Sequence, residues 1–257
     1  MSSKVILLTG ATDGIGLETA RKLKSLGHTL IVHGRSADKL EKVAAELGAD
    51  SVRADLSDLS AVHKMADSIL EKYEKIDVLI NNAGVLKTPN TRTKDGYDIR
   101  YVVNTFAPYL LTKKLLPKLE GGRVINLSSA AQAPVNFDAL LGKVKMSDME
   151  AYAQSKLAIT MWSKHMADKL GEDGPVIIAV NPASLLGTKM VKEGFNTSGN
   201  DINIGVNILT SLSLDAEHAS HSGDYYDNDN GRYAKPQADG LDSDKAGKIV
   251  ELIEGIL

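Results

Sequence analysis

The sequence has no cysteine among its 257 residues. This absence excludes a disulfide framework, a thiolate nucleophile and a thiolate metal site. It agrees with a reducing compartment. The first strand is expected at about residue 4, which leaves no room for a signal peptide. We therefore predict a cytoplasmic location.

Long hydrophobic runs and a strong charge of one sign are also missing. No apolar run approaches the roughly 20 residues of a membrane-spanning helix. The net charge is only −3, so neither nucleic acid nor an anionic membrane is expected as a partner. Small molecules and other copies of the chain remain as expected partners. A chain with 43% apolar residues can bury a large core, which predicts a single domain over residues 1–257.

Short apolar runs alternate with amphipathic stretches along the chain. The runs are continuous rather than alternating, so both faces of each strand are expected to be covered, as in a parallel sheet with helices on both sides. Ligands bind such sheets at the carboxyl ends of the strands. The predicted strands are Val5 to Leu8, Thr29 to Val32, Ile76 to Ile80, Val124 to Leu127 and Val176 to Val180.

A glycine-rich segment, Thr9-Gly-Ala-Thr-Asp-Gly-Ile-Gly16, lies between the first predicted strand and a helical pattern. Gly10 permits a tight exit from the strand, Gly14 lets backbone N–H groups approach a phosphate, and Gly16 permits close packing of helix on strand. An anion would then lie at the N-terminus of the helix. The arrangement predicts a site for a dinucleotide pyrophosphate.

The end of the second strand reads His33-Gly34-Arg35-Ser36. In dinucleotide-binding folds this place distinguishes a free ribose hydroxyl from a 2′-phosphate. The Arg35 guanidinium can pair with a phosphate, which favours NADP(H), with NAD(H) as the alternative. The nearest acid, Asp38, is explained as a first-turn residue of a helix capped by Ser36. Asp13 argues the other way, because it adds negative charge to the glycine loop.

Tyr152 and Lys156 are four residues apart in a helical segment, so both project from one face. An ammonium near a phenol is expected to lower the pKa of Tyr152 from about 10 towards neutrality, which suits a general acid or base. Ser129 follows a predicted strand, and its hydroxyl could donate to a carbonyl oxygen. By strand alternation, Ser128 should point the opposite way.

These motifs, together with Asn81-Asn-Ala-Gly84, occur in an order that resembles the short-chain dehydrogenase/reductase family. The long segment before Tyr152 and the Arg35 pattern are similar to the branch that contains retinol dehydrogenases. The resemblance implies a doubly wound Rossmann domain with a seven-stranded parallel sheet. It also implies hydride transfer between NAD(P) and an alcohol or carbonyl, and self-association as a dimer or tetramer.

The resemblance also implies roles for individual residues. Asn104, in Val103-Asn-Thr105, would connect Lys156 to solvent through water, completing a catalytic set with Ser129 and Tyr152. Lys156 would also bind the nicotinamide ribose. The residues expected to contact the cofactor are Gly10, Thr12, Asp13, Gly14, Ile15, Gly16, Arg35, Asp55, Leu56, Asn81, Ala83, Gly84, Tyr152, Lys156, Pro182 and Thr188.

The sequence departs from the family pattern at two places. Ala183 follows Pro182 where the family usually has glycine, so the backbone near the nicotinamide is expected to take a different path. An inserted loop is expected at about 131–149, near the substrate. Residues 189–215 are expected to form a substrate cover.

The expected function is that of an NADP(H)-dependent oxidoreductase with Tyr152 as general acid or base. A non-enzymatic NADP(H)-binding sensor or scaffold is the alternative from another class, and a redox-neutral epimerase or dehydratase is a further one. A serine hydrolase is disfavoured, because no Gly-x-Ser-x-Gly segment occurs. His218 and His221 are three residues apart, but acids near them look sparse and a surface position is expected, so no metal site is predicted.

Overall fold

The computed structural model describes residues 2–257 and contains one eight-stranded sheet. The strand order is β3-β2-β1-β4-β5-β6-β7-β8; β1 to β7 are parallel, and β8 pairs antiparallel with β7. The predicted parallel sheet is thus confirmed, with one antiparallel edge strand in addition. The strands are β1 Val5–Leu8, β2 Thr29–Gly34, β3 Asp50–Arg53, β4 Val78–Asn81, β5 Arg123–Leu127, β6 Val176–Asn181, β7 Tyr225–Asp227 and β8 Arg232–Ala234.

Helices cover both faces of the sheet. On one face α3, α5, α7 and α10 pack against side chains such as Leu7 and Ile31. On the other face α1, α2 and α9 pack against the alternate side chains, such as Leu8 and Val32. The helices are α1 Gly14–Ser25, α2 Ala37–Leu47, α3 Leu59–Lys72, α4 Ile99–Tyr101, α5 Ala107–Leu115, α6 Phe137–Leu140, α7 Asp148–Leu170, α8 Lys189–Phe195, α9 Asn203–Leu214 and α10 Ser243–Glu254. A π-helical turn, Val102–Phe106, lies between α4 and α5.

The sequence analysis missed β3. This strand lies at the edge of the sheet and pairs only with β2. Its residues Asp50, Ser51 and Arg53 are exposed, and Val52 is half-buried. An edge strand with so little burial carries no apolar run by which it could be recognised.

The strand order reverses between β1 and β4, the two central strands that precede the glycine loop and the Asn81 segment. In doubly wound sheets, the crevice at this reversal, beyond the carboxyl ends of the strands, is where ligands bind. The fold therefore brings the predicted site segments to a single edge.

The inserted segment and the expected cover both contain helices. Residues 131–149 include the four-residue helix α6, where Asn136 accepts a hydrogen bond from the Ala139 amide over 3.1 Å. The same segment ends at the N-terminus of α7, where Ser147 and Glu150 form a reciprocal capping box. Residues 189–215 hold α8 and α9.

Candidate active site

The glycine loop follows β1 and packs tightly against the segment after β4. Gly10 has a φ of +67°, and a Cβ placed there would lie 2.9 Å from the Ala83 Cα. A Cβ on Gly16 would lie 2.3 Å from the Gly10 carbonyl oxygen. Neither position can hold a side chain without moving backbone, so the closeness that the sequence predicted at both glycines is confirmed.

Two adjacent asparagines fasten this region. Asn81 is buried and donates to Thr112 Oγ1 at 3.1 Å and to Asn126 Oδ1 at 2.8 Å, so it joins β4 to α5 and β5. Asn82, which the sequence analysis did not single out, donates to the Thr9 carbonyl at 2.9 Å and to the Gly10 carbonyl at 3.1 Å. The Asn-Asn pair in the sequence was the available signal.

The first turn of α1 is capped by Asp13, whose carboxylate accepts from the Gly14 amide at 2.8 Å. This carboxylate is exposed and lies 3.5 Å from the Lys39 ammonium. Its charge is therefore partly compensated at the surface. Thr12 packs over Gly34, where a Cβ would lie 2.5 Å from its methyl group. Ile15 lies against α9, since a Cβ on Gly205 would be 3.5 Å from its Cδ1.

Arg35 follows β2 and is exposed, and among residues 2–257 no carboxylate pairs with it. Ser36 is the N-cap of α2 and Asp38 lies in its first turn, as predicted. The guanidinium is therefore free to meet an anion at the carboxyl end of β2.

His33 belongs to the segment at the end of β2 that the sequence pointed to, although no role was predicted for it. Its Nδ1 accepts from the Gly10 amide at 3.2 Å, and its Nε2 lies 3.1 Å from the Ala54 carbonyl oxygen. Burial lowers the pKa of His33 to about 4, so the ring is neutral at pH 7, with the proton on Nε2. It joins the glycine loop to the end of β3, where Asp55 accepts from the Ser57 amide and hydroxyl and Leu56 is buried.

Tyr152 and Lys156 lie on one face of α7, with the Lys156 Nζ 5.6 Å from the centroid of the Tyr152 ring. The ammonium donates to the Leu127 carbonyl at 2.6 Å. Burial lowers the pKa of Lys156 to about 7.

The expectation that Lys156 lowers the pKa of Tyr152 is wrong for this structure. Burial raises the pKa of the phenol, and a hydrogen bond with the Ser129 hydroxyl offsets only part of that rise. The reason is that Lys156 is itself desolvated, so its charged form is disfavoured near neutral pH. Tyr152 is consequently protonated at pH 7.

Ser128 and Ser129 point in different directions, as strand alternation predicted. Ser128 is buried and its hydroxyl donates to the Lys156 carbonyl at 2.8 Å. The Ser129 hydroxyl is half-buried at the end of β5 and accepts from the Ala131 amide at 3.1 Å. Two side chains that the sequence analysis missed hold the Ser129 carbonyl: Tyr225 Oη at 3.1 Å and Gln132 Nε2 at 3.0 Å.

Asn104 lies in the π-helical turn, a distortion that often marks functional sites. Its carboxamide accepts from the Val85 amide at 2.8 Å and donates to the Ser155 hydroxyl at 3.0 Å. A Cβ on Gly84 would lie 3.4 Å from Asn104 Oδ1 and 3.5 Å from Lys156 Nζ. The structure thus brings Asn104, Gly84 and Lys156 together.

The segment after β6 has unusual backbone geometry. Ala183, directly after Pro182, has a φ of +124°, so the alanine occupies a glycine-like conformation at the position where the sequence departs from the family pattern. Thr188 caps α8, and a Cβ on Gly14 would lie 3.5 Å from its methyl group. This segment therefore reaches the glycine loop.

His218 differs from its expected surface position. It is buried, and its ring nitrogens lie 2.8 Å from Tyr233 Oη and 3.1 Å from Ser211 Oγ. Asp215 and Glu217 bring ligand-type atoms within 4.8 Å of it and of each other. Acids are thus closer to His218 than the sequence indicated, although both ring nitrogens already have hydroxyl partners.

Comparisons with known proteins show the family and the fold to which this chain is similar. The family model for short chain dehydrogenases matches residues 4–198. Human retinol dehydrogenase 13 is 35% identical over 192 residues, which are 70% of this chain and 58% of that protein. The chain thus spans little more than half the length of this curated relative.

Solved structures share the fold. A protein of Mycobacterium paratuberculosis superposes with a TM-score of 0.81 and 28% identity, over 99% of this chain and 93% of the other. A short chain dehydrogenase of Shigella flexneri complexed with NADP gives a TM-score of 0.71 and 25% identity, over 89% and 98%. None of the helices in residues 2–257 combines the length and the apolar composition that a membrane crossing needs.

Proposed function

We propose that this chain, which belongs to the short-chain dehydrogenase family, is an NADP(H)-dependent oxidoreductase that interconverts an alcohol and a carbonyl. The observation that carries the proposal is that the side chains of Ser129, Tyr152 and Lys156 lie close together beside the glycine loop. The Ser129 hydroxyl partly offsets the rise that burial causes in the pKa of Tyr152, and the Lys156 Nζ lies 5.6 Å from the centroid of the same ring. A proton donor and a hydroxyl that can polarise a carbonyl thus lie together.

The residues at the glycine loop fit a dinucleotide. Gly10 and Gly16 leave no room for side chains, and the open amides of the first turn of α1 suit a pyrophosphate. The free Arg35 guanidinium suits a 2′-phosphate, and the NADP complex of the Shigella flexneri relative supports this choice. Asp55 and Leu56 would border the adenine. The nicotinamide half would meet Asn81, Ala83, Gly84, Pro182 and Thr188.

The chain's own groups would act on the substrate oxygen and on the cofactor ribose. When bound, NADPH supplies the hydride that adds to the carbonyl carbon. Tyr152, protonated at neutral pH because burial raises its pKa, would give its proton to the oxygen, which Ser129 would orient. Lys156 would hold the nicotinamide ribose, and Asn104 would link this lysine to solvent.

The substrate class is an alcohol or carbonyl with an apolar body. Retinol dehydrogenase 13 is named for such an alcohol. In this chain Met149 is 39% exposed one helical turn before Tyr152, which gives the substrate an apolar neighbour. The non-enzymatic alternative gains no support from any residue at the site. For location, we propose the cytoplasm; recovery of the protein in a membrane fraction would contradict this.

The test of the proposed chemistry is Tyr152→Phe, which removes the proton donor and keeps the ring. We expect kcat for aldehyde reduction to fall by about 10²- to 10⁴-fold, with NADPH affinity retained. Tyr73→Phe is the matched control, because the Tyr73 hydroxyl bonds Asp50 at the amino end of β3, away from the site. Near-normal turnover by Tyr152→Phe would rule out the assigned role.

A further inference from the structure

The turn between β7 and β8 folds back over the segment that follows β6. This turn lies outside residues 4–198, the part of the chain that the family model matches. Asn228 donates its backbone N–H to the Asn181 carbonyl at 3.1 Å and its Nδ2 to the Pro182 carbonyl at 2.9 Å. The turn therefore contacts the backbone at the very end of β6.

Asp229 makes the most specific contacts in the turn. Its Oδ1 accepts from the Ser184 amide at 2.7 Å. Its Oδ2 accepts from the Ser184 hydroxyl at 2.5 Å and from Asn181 Nδ2 at 2.9 Å. One carboxylate thus binds residues on both sides of the Pro182-Ala183 pair.

Two residues of this segment, one between these contacts and one just after them, have strained backbone conformations. Ala183 has a φ of +124° and Leu185 a φ of +53°, although both carry a Cβ. Non-glycine residues adopt such angles only where the surrounding structure holds them. The three hydrogen bonds of Asp229 contribute to that restraint, since they fix the residues directly before and after the Pro182-Ala183 pair. Asn200 adds bonds to the Ser184 and Leu185 carbonyls on the far side of the pair.

The same segment leads to the glycine loop. Three residues after Leu185, Thr188 caps α8 with its hydroxyl and lies against Gly14. A different path at Ala183 would move Thr188 relative to the first turn of α1. The conformation of the segment therefore sets where Thr188 lies relative to the glycine loop.

We propose that Asp229 is a positioning residue that holds Pro182 to Leu185 in the conformation that binds the nicotinamide cofactor. The inference rests on the proposed function, because the proposed function assigns the space between the glycine loop and this segment to the cofactor. Without the carboxylate, the strained segment relaxes and only a fraction of molecules keep the competent conformation. The apparent dissociation constant rises by the inverse of that fraction.

The test uses the full chain and compares wild type, Asp229→Ala, Asp229→Asn and Asp224→Ala. Asp224 is an exposed acid five residues earlier whose carboxylate bonds only His221. Fluorescence titration should give an NADPH dissociation constant about tenfold higher for Asp229→Ala. Asp229→Asn keeps one acceptor oxygen and should lose less. Asp224→Ala should bind like wild type.

A rescue separates positioning from a general loss of stability. Glycine reaches the φ of residue 183 without a Cβ, so Ala183→Gly should return most of the NADPH affinity to Asp229→Ala. A purely structural role for Asp229 would lower the unfolding midpoint and show no such rescue. Unchanged NADPH affinity in Asp229→Ala, or failure of the rescue in a folded double variant, would overturn the proposal.

A second measurement needs no cofactor. Hydrogen exchange of the Ser184 amide, which donates to Asp229, should accelerate in Asp229→Ala and not in Asp224→Ala. If wild type failed to bind NADPH, the proposed function would fail, while this exchange rate would still decide whether Asp229 restrains the segment. An unchanged exchange rate would overturn the restraint itself.

Discussion

Lys156 is buried, and no carboxylate among residues 2–257 is paired with its ammonium. Its hydrogen bond to the Leu127 carbonyl does not replace the lost hydration, so burial lowers its pKa from 10.5 to about 7. The folded chain thus carries a lysine that is only partly charged at neutral pH, at the place where the cofactor ribose is proposed to bind.

This burial predicts a pH dependence of stability. Between about pH 7 and pH 9 the unfolded chain holds a proton on Lys156 that the folded chain has lost, so the free energy of unfolding should rise with pH. The contribution is at most about 1.4 kcal/mol per pH unit. Urea unfolding of wild type and Lys156→Met across this range gives the free energy of unfolding as a function of pH. The contribution of Lys156 is the difference between the two slopes. Parallel slopes would contradict the lowered pKa.

Arg35 should decide between the two nicotinamide cofactors. Arg35→Asp replaces a phosphate partner with a charge that repels phosphate, so NADPH affinity should fall by about 10- to 100-fold, with NADH affinity unchanged. Lys42→Asp makes the same charge change on the exposed side of α2 and is the control. Binding constants for both cofactors can be measured by titration. Equal losses for NADPH and NADH would remove the basis for the NADP assignment.

The sequence predicted those site residues whose signal is local. The glycines of the loop follow a strand at fixed spacing, and Tyr152 and Lys156 share a helix face by their separation alone. Asn82 and Tyr225 act through contacts with Thr9 and Ser129, which are 73 and 96 residues away in the chain. Such pairings depend on the order of the strands in the sheet, which cannot be read from local patterns in a single sequence.

At the scale of elements, the helix that carries Tyr152 is fastened to the segment that carries Asn104. Arg100, fully buried, pairs with Asp98 at 2.6 Å and with Asp148 in the first turn of α7. Tyr101 adds a hydrogen bond to Gln154 at 2.7 Å. These contacts set the position of α7 relative to α4 and the π-helical turn.

Breaking this ion pair should destabilise the fold. Arg100→Met leaves the Asp98 carboxylate buried without its partner, which we expect to cost about 3–5 kcal/mol. Arg21→Met is the matched control, because Arg21 forms the same kind of pair with Glu18 and Glu46 at the exposed surface and should lose far less. Urea unfolding midpoints of the two variants test this. Equal losses would mean that the buried pair is worth no more than the surface one.

The elements found from the sequence are those with many buried positions, either as a continuous apolar run or along one helix face. The central strands are buried on both faces, and α3 buries one face through Val62, Met65, Ala66 and Ile69. The four-residue helix α6 and the strand β3 have too few buried positions for a pattern. The π-helical turn depends on packing against α7, so the sequence around Asn104 gives no indication of it.

At the scale of the whole molecule, α10 covers the outer face of α7. The Glu254 carboxylate bonds the Tyr109 hydroxyl and the Lys113 ammonium, each at 2.6 Å. Ile249 and Ile253 are completely buried in the core that includes α7. A homo-oligomer, which the family resemblance implies, would therefore have to form through a surface other than the face of α7 that α10 covers. We propose that residues 1–257 form one domain, because all eight strands form one sheet.

The fold brings the carboxyl ends of β1, β2, β4, β5 and β6 and one face of α7 to the same edge of the sheet. This placement supports the proposed hydride transfer from NADPH to a carbonyl. The most direct test is the consumption of NADPH, against NADH, by the full chain with a panel of aldehydes, ketones and quinones that includes retinal, and with Tyr152→Phe as the blank. We expect carbonyl-dependent oxidation of NADPH by wild type, much weaker oxidation of NADH, and loss of turnover in the blank. Bound NADPH with no turnover on any carbonyl would contradict the claim.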